Sequence, residues 1–133
     1  MEIIREIEGE PIKHSKDVEK WLTEFQNQDR EHFIVIGLNT KNEPVYREIV
    51  SIGTLNTTLV HPREVFKKAI IMSCNSIIIA HNHPSGDIIP SKEDIEVHKK
   101  LIESSKILDI KILDCFIIGK TIESFIDSIN SIF

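Results

Sequence analysis

Apolar residues at Val18, Trp21, Leu22 and Phe25 recur at i, i+3, i+4 and i+7, one face of an amphipathic helix, with Ser15 placed as its N-cap. The pattern then changes period. Glu31 to Leu38 is a run of β-formers, Asn39 to Asn42 is turn chemistry, and Pro44 to Ile52 is a second β-like run, so the two predict a hairpin. Pro44 has no N–H to give a ladder and belongs at a strand start or a sheet edge. His61-Pro62 opens a second helix, because proline suits a first helical turn. Val65, Phe66, Ala69 and Ile70 give that helix a buried face up to about Ser73, with His61 expected to cap it. Ile77 to Ala80 is a short unbroken apolar run, which predicts a central strand covered on both faces. Ser91 to about Lys106 reads as a helix, and Ile110 to Ile118 as a strand ending at Gly119. The C-terminal stretch fits two readings. Ile122, Phe125, Ile126 and Ile129 have helical spacing, whereas Thr121 to Phe125 would finish a sheet. A hairpin combined with crossover helices predicts an α/β (α+β) fold, a mixed central sheet flanked by helices.

Composition narrows the class. With 133 residues, one domain over 1–133 with one hydrophobic core is expected, needing neither disulfides nor a structural metal. Acidic residues outnumber basic ones 21 to 16, a net charge of -5, so the positive field that dominates affinity for phosphate backbones is lacking. No stretch approaches the roughly 18 apolar residues of a membrane span. The opening Met1 to Glu6 is acidic where a signal peptide is basic then apolar, and Cys74 and Cys115 make no disulfide framework. A cytoplasmic protein with no membrane partner is expected.

The chemistry concentrates in His81 to Asp94. In extended backbone, residues two apart share a side, so His81 and His83 can aim both imidazoles at one point as the central strand ends. Pro84 and Gly86 turn the chain, Ser91 begins a helix, and Asp94 lies in its first turn. Two neutral imidazoles and one carboxylate, with a fourth position left to water, are the ligand set of a catalytic zinc site. Each part alone is weak: Ser-x-x-Asp before an apolar run is also a capping box, and Pro-Ser-Gly-Asp is ordinary turn chemistry. The conjunction carries the reading. His98, one helical turn beyond Asp94, is a rival ligand or a partly buried polar side chain. His14, His32 and His61 read as structural or exposed, and Cys115 as a small buried hydrophobe.

His81, His83, Ser91 and Asp94 reproduce, residue for residue, His-x-His, seven intervening residues, then Ser-x-x-Asp. This resembles the JAMM signature of the MPN (JAB) domain metal-dependent hydrolases. Three longer segments, Ser51 to Asn56, His61 to Phe66 and Ala80 to Asp87, are similar to the RadC branch of that superfamily, and the likeness runs from about Lys13 to Gly119. It implies an MPN/JAB-like architecture related to the layered cytidine deaminase-like fold. The JAMM pattern also implies an upstream glutamate on the strand after the first helix, where Glu31 stands, with Glu48 and Glu64 as rival candidates. Three features depart from the RadC pattern. No N-terminal helix-hairpin-helix region is found, Cys115 stands where RadC proteins often have histidine, and the C-terminal end differs from the family's usual one.

The resemblance implies a zinc-dependent hydrolase acting on a peptide or isopeptide bond. Zn²⁺ would be held by His81, His83 and Asp94, Glu31 would act as general base, and Ser91 would donate to the developing oxyanion. Two other classes compete: a nuclease or DNA repair-associated protein, as the RadC name implies, and a non-catalytic MPN interaction module. DNA remains a weakly supported partner. A zinc deaminase is excluded, since it requires a Pro-Cys-x-x-Cys ligand pair that the chain lacks.

Overall fold

A computed structural model describes residues 3–53 and 60–126 of the chain. Six strands form one mixed sheet in the order β1-β3-β2-β4-β5-β6. They are β1 (Ile4–Glu6), β2 (His32–Leu38), β3 (Pro44–Ile52), β4 (Ser76–Asn82), β5 (Lys111–Ile118) and β6 (Ile122–Ser124). Among the described residues, two helices, α1 (Pro62–Ile71) and α2 (Lys92–Leu108), accompany the sheet together with two short 3₁₀ segments at Ser15–Trp21 and Thr23–Phe25. Only β4 and β5 pair in parallel among the described residues, with α2 as their crossover. No helix among the described residues is long and apolar enough to cross a membrane.

The predicted hairpin forms, and Pro44 starts β3 as its missing N–H requires. Every residue of β4 is buried because β2 and β5 flank it and both of its faces are covered. Along the strands, alternation sorts side chains into two cores. Phe33, Val35, Ile77, Ile79, Cys115 and Ile117 pack against Val65, Phe66, Ala69, Val97 and Leu101 of the two helices. Ile34, Ile36, Ile78, Ala80 and Phe116 pack on the other side against Val18, Leu22 and Phe25.

Three expectations are corrected. The first helix is replaced by the two 3₁₀ segments, and Ser15 does not cap them. The Asp17 carboxylate accepts the backbone N–H groups of Lys13 and His14, while Ser15 donates to Asp114. These segments are held by tertiary contacts: buried Arg47 reaches the Trp21 carbonyl and Glu24 and lies over the Phe25 ring. His61 occupies the N-cap position of α1, but its side chain makes no capping bond. At the C-terminal end the sheet reading holds for Ile122–Ser124, while Ile129 lies outside the described residues. Strand β1 has no counterpart in the sequence reading, since three residues are too few to show a period.

Candidate metal centre

The cradle is assembled from the end of β4, the loop after it and the first turn of α2. Phe33 of β2 pairs with His81, so both project to the face carrying α1 and α2, and strand parity sends His83 the same way. The loop is fastened to the end of β5, where His83 N–H donates to the Ile118 carbonyl at 2.9 Å and Lys120 N–H to the Gly86 carbonyl at 3.0 Å. A side chain at Gly119 would bring its Cβ to 2.4 Å from the Gly86 oxygen, so only glycine permits this approach. Ser91 and Asp94 cap α2 reciprocally. The Asp94 N–H donates to Ser91 Oγ at 3.0 Å, and the Ser91 N–H donates to Asp94 Oδ2 at 2.8 Å. This capping box aims the carboxylate back at the strand end.

His81 Nε2 lies 3.1 Å from His83 Nε2 and 3.2 Å from Asp94 Oδ1, and His83 Nε2 lies 2.9 Å from Asp94 Oδ2. His81 and Asp94 are buried, and His83 is half-buried. A tetrahedral ion bonded at about 2.0–2.1 Å sets its ligand atoms roughly 3.3 Å apart, close to the spacing found here. The donor set suits the same role, because two imidazole lone pairs and a carboxylate pointed at one spot repel unless a proton or a cation lies between them. His83 Nδ1 is 2.9 Å from the Asp87 carbonyl, which makes Nδ1 the protonated nitrogen and turns the Nε2 lone pair inward. These three residues could hold a metal ion.

The electrostatics follow from the contacts. Hydrogen bonding to Asp94 raises the His83 pKa against the effect of burial, and the charge of Glu31 acts in the same sense. Burial alone would raise the Asp94 pKa, but hydrogen bonds from His81 and His83 outweigh it and hold the carboxyl well below the usual carboxylate range.

Glu31 immediately precedes β2. Continuing the antiparallel register by two residues from the Phe33–His81 pair sets it opposite His83. Glu48 pairs with Val35 and responds to Lys68, Glu64 and Lys67, so it faces α1 and not the cradle. Glu64 is an exposed residue of α1. Ser91 is exposed at the helix start.

His98 corrects the expectation of partial burial, for it is wholly buried among Phe33, His81 and Phe125. Its Nδ1 lies 2.7 Å from the Asp94 carbonyl, and it is not one of the converging ligands. Burial pushes its pKa down to about 3, so it is neutral. Cys115 pairs with Ile79, two residues down the strand from His81, and is a buried core residue.

The chain matches the RadC-like JAB domain over residues 12–130. It belongs to that family. A UPF0758 protein of Caldanaerobacter subterraneus subsp. tengcongensis is 56% identical over 98 residues, 74% of this chain and 42% of the relative. One from Desulforamulus reducens is 54% identical over 98 residues, 74% of this chain and 43% of the relative. One from Bacillus cereus is 50% identical over 109 residues, 81% and 48% respectively. This RadC-like JAB chain therefore spans less than half the length of the curated relatives it matches. The sequence reading passed over one polar residue at this RadC-like site, Asn82. A signal was available: it is an amide that directly follows the apolar run Ile77 to Ala80 and lies between the two histidines.

Proposed function

We propose that this RadC-like JAB domain is a metal-dependent hydrolase of amide bonds, acting on a peptide or isopeptide substrate. The observation that carries the reading is the convergence of His81, His83 and Asp94 beside a carboxylate, Glu31, that lies across the strands from His83. Zn²⁺ fits the donor set, and when bound there it would act as a Lewis acid and bring the pKa of a water toward about 7. Glu31 accepts the proton of the attacking water and delivers it to the leaving amine. Ser91 already accepts the Asp94 N–H through its oxygen, which directs its own proton outward to the substrate carbonyl oxygen as negative charge develops there. Asp94 holds its position through the α2 cap and His83 through the Asp87 carbonyl, while His81 is fixed by its place in β4 between β2 and β5. The net charge of -5 supports an amide over a phosphodiester, whose binding relies on cationic contacts.

The test is a screen of peptide, isopeptide and single-stranded DNA substrates with the zinc-loaded protein and its E31Q variant. Amide cleavage should fall by about 10²- to 10⁴-fold in E31Q, with metal content unchanged. Cleavage of DNA alone, or amide cleavage indifferent to E31Q, would overturn the proposal.

A further inference from the structure

Asn82 sits between the two histidines of β4, and strand parity sends its side chain to the opposite face. It is buried, and both ends of its amide are used. Its Oδ1 accepts the His32 backbone N–H at 2.6 Å, and its Nδ2 donates to the Arg30 carbonyl at 2.8 Å. The amide orientation is unambiguous, since a backbone N–H only donates and a carbonyl only accepts. The residue clasped between these two contacts is Glu31. Two further bonds secure the same stretch. His32 Nδ1 lies 2.9 Å from the Arg30 carbonyl, and Gly53 N–H donates to the Glu31 carbonyl at 2.8 Å.

The β2–β4 ladder ends at the Phe33–His81 pair. Beyond it no β2–β4 pair is formed among the described residues, so the register that sets Glu31 opposite His83 continues there without ladder bonds between those two strands. The Asn82 side chain takes over where the ladder stops. It ties the backbone on either side of Glu31 to the residue that joins His81 to His83, so the base and two ligands move as one unit. We propose that Asn82 is a positioning residue that sets the Glu31 carboxylate over the His81–His83–Asp94 cradle. The inference rests on the hydrolase reading for Glu31, and an apolar residue of equal size would fill the space without making the clasp.

The probe is Co²⁺ alone, bound to the full chain, with the visible spectrum followed against pH. Removing the Glu31 charge in E31Q should displace the spectral midpoint by about one to three pH units, the range a charge roughly 4–6 Å away produces. N82L and N82A should retain Co²⁺ binding and shift the midpoint in the same direction by at least about half as much. The double variant E31Q/N82L should coincide with E31Q, because a misplaced carboxylate and an absent one cannot add. A merely structural Asn82 predicts a shift that adds to that of E31Q. Normal E31Q displacement with unmoved N82L and N82A midpoints would overturn the inference and leave the Glu31 reading standing. A silent E31Q would overturn both. The clasp is also read in the wild-type, metal-free protein by amide hydrogen exchange. His32 should be protected like the Phe33 to Ile36 ladder, and rapid exchange there would sink the inference whatever the variants do.

Discussion

In the proposed centre Asp94 carries two burdens, a ligand's and a helix cap's, and substitution separates them. Consider D94N and D94A in thermal unfolding, with chelator and with zinc. At a free metal concentration about 100-fold above Kd, binding to the folded state alone stabilises by about 2.7 kcal/mol. For 133 residues the unfolding entropy at the midpoint is about 0.28 kcal/mol per degree, so zinc should raise the wild-type Tm by about 10 °C. Removing one of three ligands should abolish that shift in both variants. Without metal they part company. D94N keeps an oxygen that can accept the Ser91 N–H, so its capping contact survives. D94A loses the acceptor for that bond, which costs about 1 kcal/mol, or roughly 4 °C. A full zinc-dependent Tm rise in D94N would refute the assignment of Asp94 as a ligand, and equal metal-free stability of D94A and wild type would refute the cap.

G119A must displace backbone that carries His83, because the added Cβ meets the Gly86 oxygen at 2.4 Å; isothermal titration should show zinc affinity lowered by about tenfold or more, the cost typical of disturbing a ligand's support. C115A, by contrast, should keep its full metal content in elemental analysis, since Cys115 is a core residue outside the converging group. For His98, the folded pKa of about 3 lies below the ordinary 6.5, so the unfolded chain binds more protons between those values and stability falls as pH drops through them. Metal-free wild type should therefore lose more Tm than H98L between pH 6.5 and 4, and parallel acid limbs would refute the buried neutral state.

What the sequence determined by itself is what strand and helix periods carry. The unbroken run from Ile77 to Ala80 marked a strand with no wet face, and the two-residue spacing of His81 and His83 placed both imidazoles on one side. Ser91 and Asp94 were legible as a helix start because a capping box is local, closing over three residues. The tertiary structure decided everything that depends on pairing between distant segments. Glu31 and Glu48 both stand in β-prone runs, and nothing local distinguishes them. Only the antiparallel register of β2 with β4 carries Glu31 to His83, while Glu48 is turned toward α1. The helical spacing of Val18 to Phe25 described a buried face correctly but not its backbone, since anchoring by Arg47 settles so short a segment into 3₁₀ turns. His98 shows the same division. Its helical phase relative to Asp94 follows from a four-residue spacing, but whether that face meets water or Phe33, His81 and Phe125 is decided by elements up to 65 residues away in the chain, which a local pattern cannot encode.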